Sequence, residues 1–258
     1  MRLYYLDDVY SGEPKLLTRE IFKGIAECDD MRFVNGKIRE ACLQCNGREK
    51  AKWKMMLPTI CYPSAPDFEE YARYCAAYDR HPGWVKLTAK GKKLSARAKE
   101  FARPTGLVMV DLDHLDNPKE TYRRLCRALA DEGRNYREVI VVAHVTPSGE
   151  GLRLVVAGDK DRSYTSMQRY IAHLAGALDE FDEVCKDWNR PSYTVPLSYY
   201  LRIDGSRLFG EHENEPGYTN HEFGQWQREC AQYMLNFIDE WTEETDNQLD
   251  IDAEILEL

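Results

Sequence analysis

The hydrophobic pattern is most regular between residues 106 and 156, where an apolar block, an amphipathic stretch and two more apolar blocks follow one another. The first block, GLVMVDL, predicts a buried strand. Asn117 as a cap, Pro118 at the first helical position and Glu120 then predict the start of a helix that ends near Gly133. This part of the chain therefore begins as a strand followed by a helix.

The next two apolar blocks, residues 139–145 and 152–156, flank the Gly-rich stretch PSGEG and predict a β-hairpin. Residues 163–178 follow with helical spacing, and residues 193–195 and 199–203 are strand-like. The order strand, helix, hairpin, helix is most of a split β-α-β-β-α-β unit. We therefore expect an α+β fold built around this unit.

The flanking regions predict further helices. Helical patterns cover residues 18–26, 36–44 and 67–78, and an amphipathic helix is expected at 222–240, before an acidic tail. We divide the chain into a basic, mostly helical or mixed N-terminal module packed on the core, the core itself, and a C-terminal helix with its tail. These parts are residues 1–103, 104–210 and 211–258.

Composition limits the class of protein. With 258 residues, of which 43% are hydrophobic, the chain can bury a substantial core. Because no apolar run reaches the length of a membrane span and the first residues do not resemble a signal peptide, we expect a cytoplasmic protein with no membrane partner. The eight cysteines lack a regular framework spacing, which favours reduced thiols.

The net charge of −9 conceals an asymmetry between the two parts of the chain. Residues 1–103 hold 20 basic and 14 acidic residues, a net of +6, so the remainder carries −15. A basic stripe within this first part can attract nucleic-acid phosphates by releasing their counterions, although a solvated helix face is the alternative. The basic stripe consists of Lys86, Lys90, Lys92, Lys93, Arg97, Lys99 and Arg103.

Two carboxylates follow the first predicted strand. Since side chains alternate along a strand, Asp111 and Asp113 point to the same face and favour a bound cation. Mg²⁺ prefers oxygen ligands, and a pair of divalent ions can hold both the attacking and the leaving oxygen in phosphoryl transfer. The alternative is that these residues serve only as turn or cap residues.

The hairpin turn offers a hydroxyl and backbone N–H groups at Ser148, Gly149 and Gly151, which can cradle a phosphate. Arg153, two residues further on, can bind a phosphate in bidentate fashion. The alternative is an ordinary hairpin loop in which the glycines only supply positive φ angles.

A third group of charged residues lies between the second helix and the last predicted strands. Either Asp182 or Asp187 can complete a metal site, while Lys186 and Arg190 can face a triphosphate. A structural cluster of salt bridges is the competing explanation.

A zinc site is a weaker candidate. Cys42 and Cys45 form one close pair, but 13 residues separate Cys61 from Cys75, which is unlike a second close pair.

In their order, the sequences DLD, SGEGLR and DEVCKDWNR resemble the three motifs of the archaeo-eukaryotic primase superfamily, the primase-polymerases. The Leu57-Pro58 pair, the PSGEGL turn and CKDWNRPSY resemble its VirE N-terminal-like branch, found in replication primases of mobile elements. The resemblance covers about residues 50–209. It implies an RRM-like catalytic core.

The resemblance also implies roles for individual residues. Asp111 and Asp113 would be metal ligands of the first motif, Asp182 the third ligand with Asp187 in reserve, and the middle motif would contact the incoming nucleotide. The implied cofactor is a pair of Mg²⁺ or Mn²⁺ ions. Where the superfamily usually has histidine this chain has Arg153, which can hold a phosphate but does not titrate near neutral pH, so an acid–base role there is in question.

Three functions follow as expectations. The first is a nucleotidyltransferase that makes or extends primers on single-stranded template from nucleoside triphosphates, with a helicase as a possible partner in trans. The second is a non-catalytic single-strand-binding accessory module that uses the basic face and tyrosines. The third is a nuclease or relaxase-like initiator, which usually needs a His-x-His pair that this sequence lacks.

Overall fold

The computed structural model describes residues 2–8, 10–159 and 161–209, and it confirms an α+β fold. The expected C-terminal helix at 222–240 and the acidic tail lie outside the described residues. The strands are β1 (Tyr4–Leu6), β2 (Lys15–Leu16), β3 (Thr59–Cys61), β4 (Ser64–Pro66), β5 (Ala102–Pro104), β6 (Leu107–Leu112), β7 (Ile140–Val145), β8 (Leu152–Ala157), β9 (Ser192–Tyr193) and β10 (Tyr200–Ile203).

The helices are α1 (Arg19–Glu27), α2 (Asp29–Leu43), α3 (Gly47–Lys54), α4 (Phe68–Arg80), α5 (Pro118–Asp131), α6 (Tyr136–Val139), α7 (Tyr164–Leu174) and α8 (Gly205–Phe209). Short 3-10 turns cover Pro82–Trp84, Lys99–Phe101, Glu183–Lys186 and Leu197–Tyr199. None of the helices within the described ranges is both long enough and apolar enough to cross a lipid bilayer.

Polar caps explain where several helices begin. The Asn117 side chain accepts a hydrogen bond of 3.1 Å from the backbone N–H of Glu120, as its position before Pro118 predicts. Thr18, Asp67 and Ser163 cap α1, α4 and α7 in the same way. The expected helix at 36–44 is longer, because α2 begins at Asp29, and α3 was not expected.

The central sheet is antiparallel and has the order β10-β7-β8-β6. Helices α5 and α7 cover one face, where Val110, Leu125, Leu154 and Ile171 are fully buried in one apolar cluster. The strand, helix and hairpin predicted between residues 106 and 156 are therefore confirmed.

A short segment, residues 180–182, also pairs with the outer edge of β6. Leu112 and Phe181 form an isolated antiparallel bridge, flanked by hydrogen bonds from the Asp182 N–H to the Asp111 carbonyl (3.0 Å) and from the Asp113 N–H to the Glu180 carbonyl (2.9 Å). The segment 180–182 thus lies beside β6, whereas β10 occupies the opposite edge of the sheet.

A second sheet covers the other face of the central sheet. Its order is β2-β1-β3-β9, so β9 joins strands from the first part of the chain. Leu3, Ile60 and Tyr62 pack in one apolar cluster with Val155 and Tyr200 of the central sheet. Because both faces of the central sheet are covered, polar side chains between the two sheets are buried.

Candidate active site

Three carboxylates meet where β6 ends and the segment 180–182 runs beside it. Asp111 lies within β6, Asp113 follows it on the same face, and Asp182 lies across the short bridge. Ligand atoms of Asp111, Asp182 and Cys185 lie within 4.8 Å of one another. Burial raises the pKa of Asp113, and the charges of Asp111 and Asp182 raise it further, so the negative charges are crowded.

Arg153 is the direct partner of Asp111. The two residues face each other across β6 and β8, and Arg153 Nε donates to Asp111 Oδ1 at 3.2 Å while its terminal nitrogen donates to Oδ2. A third donor of the guanidinium reaches Ser192 Oγ at 3.2 Å. This arrangement is a fork-on-fork ion pair, and both side chains are buried.

The pair explains how Asp111 stays ionised inside the protein. Burial alone would raise the pKa of its carboxyl, but the charge and hydrogen bonds of Arg153 outweigh burial and hold it below the usual value. Arg153 was expected to bind a triphosphate. The structure instead places its guanidinium against a carboxylate and away from solvent.

His144 continues the same cross-strand row, opposite Arg153 on β7. Its Nδ1 lies 2.9 Å from the Val145 carbonyl oxygen, which fixes Nδ1 as the protonated nitrogen. Burial, together with the charge of Arg153, lowers the pKa of His144 to about 4, so the ring is neutral at physiological pH. His144 has no metal-ligand spacing in the sequence, and strand pairing alone brings it here.

The Gly-rich turn packs against the end of β6. A Cβ at Gly151 would lie 2.8 Å from both the Leu112 carbonyl oxygen and Thr146 Oγ1, and 3.0 Å from Asp113 Oδ1. Glycine is therefore required by close approach at this position, while Gly149 has a φ of +85°. Ser148 Oγ lies 3.1 Å from Thr146 Oγ1, so its hydroxyl belongs to the same turn.

Two basic residues that lie outside the sequence motifs border this turn. Arg39 of α2 lies against it, with Nε 3.3 Å from the position that a Gly149 Cβ would take. Lys54, the last residue of α3, has its pKa lowered by burial and by the charges of Lys50 and Arg153, while Asp113 and Asp111 act in the opposite direction. Basic side chains from two helices therefore accompany the carboxylates.

The remaining residues of the third motif are arranged differently. Asp187 is exposed and pairs with Lys99 at 3.1 Å, and it is not part of the group formed by Asp111, Asp182 and Cys185. The positive charge of Arg190 acts on the Cys185 thiol, whose pKa is raised chiefly by burial. Lys186, the residue after Cys185, is half-buried. Of the two candidate third acids, Asp182 is the one that joins the cluster.

The basic stripe lies in loop rather than on a helix between residues 85 and 98. Several of its charges have intramolecular partners, because Lys86 pairs with Glu100, Lys99 with Asp187, and Arg103 with Asp67. Two further members make other contacts, because Arg97 donates to the Ser11 carbonyl and Lys93 lies over tyrosine rings. The side chains of Lys90 and Lys92 are exposed.

The donor set at the carboxylate cluster fits a hard divalent cation. Asp113 and Asp182 offer carboxylate oxygens, the ligands that hard divalent cations prefer, and the charge of Asp182 acts on Asp113. Cys185 lies 3.4 Å from Asp182 Oδ2, but burial and Asp111 raise the pKa of its thiol, so it is a protonated neighbour and a poor ligand. Within the described ranges, Cys42, Cys45, Cys61 and Cys75 form no such group.

The central part of the chain matches a known family profile. A family profile described as the BT4734-like N-terminal domain, a family of uncertain function, matches residues 85–192. The matched range is less than half of the 258 residues and includes the carboxylates, the Gly-rich turn and Arg153. No curated protein and no solved structure matches the chain. The central part of the chain is thus similar to this family.

Proposed function

We propose that the protein is a metal-dependent nucleotidyltransferase of the primase-polymerase type, which makes or extends primers on single-stranded template in the replication of a mobile element or phage. The observation that carries this proposal is the approach of Asp111 and Asp182, from two separate chain segments, to within 4.8 Å, with Asp113 on the same face as Asp111 and beside the Gly-rich turn. The RRM-like core is part of the proposal. It is supported by the segment 180–182, which lies beside β6 and brings the third acid to the first two.

Asp113 and Asp182 would hold a divalent cation, Mg²⁺ or Mn²⁺, with Asp111 as the neighbouring carboxylate. When bound, such a cation would neutralise charge on the phosphates and on the attacking hydroxyl. The protein itself would supply positioning. Arg153 holds Asp111 ionised and in one orientation, and Gly151 lets the turn approach the carboxylates closely.

The triphosphate would lie between the turn and the helices. Arg39 lies against the turn, Lys54 interacts with the charges of Asp111 and Asp113, and Arg190 acts on Cys185 from the third motif. Because Arg153 is already bound to Asp111, we assign the phosphate contacts to these three residues first.

A second candidate is a non-catalytic module that binds single-stranded nucleic acid. The ion pair between Arg153 and Asp111 favours it, because a guanidinium already neutralises one of the three carboxylates. A helicase partner in trans is compatible with either function.

Incorporation of labelled nucleotides on single-stranded template, with Mg²⁺ or Mn²⁺, separates the two candidates. The nucleotidyltransferase should extend primers, and Asp113→Ala with Asp182→Ala should abolish extension while leaving the thermal unfolding temperature close to the wild-type value. Asp131→Asn, at an exposed carboxylate that ends α5, is the matched control and should extend normally. Wild-type protein that binds the template but never extends a primer would instead favour the binding module.

A further inference from the structure

A run of exposed and half-buried aromatic and basic side chains crosses the outer surface of α2 and α3. Phe33 is 57% exposed, and its ring meets that of Trp53 edge to face with centroids 5.9 Å apart. Lys37 Nζ lies 5.9 Å from the Phe33 centroid, and Lys52 Nζ lies 5.5 Å from the Trp53 centroid. We call these four residues, Lys37, Phe33, Trp53 and Lys52, the α2–α3 platform.

The platform is held rigidly from below. Trp53 packs against a buried apolar cluster formed by Met31, Val34, Ile38 and Leu57. Its ring therefore has a fixed orientation, and the Phe33 ring beside it is presented to solvent at little further entropic cost on binding. An exposed aromatic surface fixed in this way is suited to stacking against a planar ligand.

The charge around the platform is positive. Helix α3 has the sequence GREKAKWK, with four basic residues and one acid. The platform lysines do pair with Glu40 (2.8 Å) and Glu49 (3.7 Å), but these pairs are solvent-exposed. Exposed ion pairs contribute little free energy, so a phosphate can replace the glutamates.

The platform is continuous with the candidate active site. Lys54 follows Trp53 directly, lies 5.5 Å from the centroid of the Tyr193 ring, and experiences the charges of Asp111 and Asp113. A strand lying along α3 would therefore pass from the platform to the carboxylate cluster.

We propose that the α2–α3 platform binds single-stranded nucleic acid, with bases stacked on Phe33 and Trp53 and with Lys37 and Lys52 on the phosphates. Base stacking on aromatic rings combined with cationic contacts to the backbone is the general means of binding single strands without sequence preference. That the bound strand is a template rests on the proposed function. The binding itself does not.

The test is fluorescence anisotropy of a labelled oligothymidine at several salt concentrations. Phe33→Ala should weaken binding by at least about fivefold, the lower end expected for loss of one stacked base. Lys37→Glu with Lys52→Glu should reduce the log–log salt slope by about 1.4, since each lost phosphate contact on a single strand contributes about 0.7. Phe33 and Lys52 are exposed and Lys37 is half-buried, so circular dichroism melts should match those of the wild type.

Two control variants test whether binding depends on the α2–α3 platform or on other exposed aromatic and basic residues. Trp84 is 84% exposed and stacks on His81 at 4.4 Å, so Trp84→Ala removes an aromatic residue elsewhere that is even more exposed than Phe33. Lys90→Glu with Lys92→Glu reverses two exposed charges of the basic stripe. Both controls should bind like the wild type.

The platform would be excluded if the wild type had no affinity for the oligonucleotide at low salt, or if affinity depended on Lys90 and Lys92 and not on Phe33. Repeating the measurement with Asp113→Ala and Asp182→Ala separates this inference from the catalytic proposal. Platform-dependent binding without any primer extension would remove the catalytic proposal and leave the platform standing.

Discussion

Replacing Arg153 by methionine should strongly destabilise the protein. The change removes the only guanidinium hydrogen-bonded to Asp111 among the described residues and leaves a buried carboxylate, since the exposed side-chain fractions of Arg153 and Asp111 are 8% and 5%. Removing one partner of a buried ion pair costs about 3–5 kcal/mol, because the remaining charge has lost its compensation. Domains are commonly stable by about 5–15 kcal/mol, so the loss is a large share of the total.

Urea unfolding followed by circular dichroism measures this loss. Asp111→Asn combined with Arg153→Met should recover most of it, because the double variant leaves no isolated buried charge. Arg32→Met provides the matched control, since Arg32 makes an exposed ion pair with Asp29 at 3.1 Å. Its urea midpoint should stay close to the wild-type value.

The destabilisation should also depend on pH. Folding lowers the pKa of Asp111, so the ion pair stabilises the wild type above the unfolded pKa near 3.9 and loses this contribution as pH falls through the folded value. Without Arg153, burial raises the pKa of Asp111 above its unfolded value, and the variant is penalised most at neutral pH. The difference between the two proteins should therefore shrink from pH 7 to pH 4. A difference below about 1 kcal/mol at both pH values would refute the assignment of a buried ion pair.

Further predictions concern other residues. Folding lowers the pKa of His144 to about 4, so between pH 6.5 and pH 4 the unfolded chain binds a proton that the folded protein does not. The free energy of unfolding should therefore fall by roughly 3 kcal/mol as the pH drops across this window. In His144→Phe, urea unfolding should show a flatter pH dependence over the same range. Gly151→Ala should cost about 1–3 kcal/mol through its clash with the Leu112 carbonyl, whereas Gly36→Ala, with open space in α2, should be neutral or stabilising in the same assay. Asn117→Ala should cost about 1 kcal/mol by removing the cap of α5.

Local signals in the sequence were sufficient for the central unit. The cap at Asn117, the apolar blocks and the Gly-rich turn each act over a few residues, and β6, α5, β7 and β8 form where those signals predict. Strand alternation also placed Asp111 and Asp113 on one face. The class of fold followed from the order of these elements.

Features that depend on pairing between distant segments were not predictable. The strand expected at 193–195 is the shorter β9, Ser192–Tyr193, and it joins the N-terminal sheet. This pairing could not be predicted because its partner β3 lies more than a hundred residues earlier in the chain. Arg153 was interpreted as a phosphate ligand because its partner could not be known until β6 and β8 were in register. Arg39 and Lys54 were missed for the same reason, because only tertiary packing brings α2 and α3 to the turn.

The pairing of β3 with β9 has a consequence for how the chain folds during synthesis. The β7–β8 hairpin can form as soon as both strands have left the ribosome, because its contacts are local. The edge of β3 beside Thr59 and Ile60 has no partner until residues 192–193 have been made. Throughout that interval an apolar strand edge is open to pairing with another chain, which makes slow synthesis or early termination the condition under which aggregation is most expected.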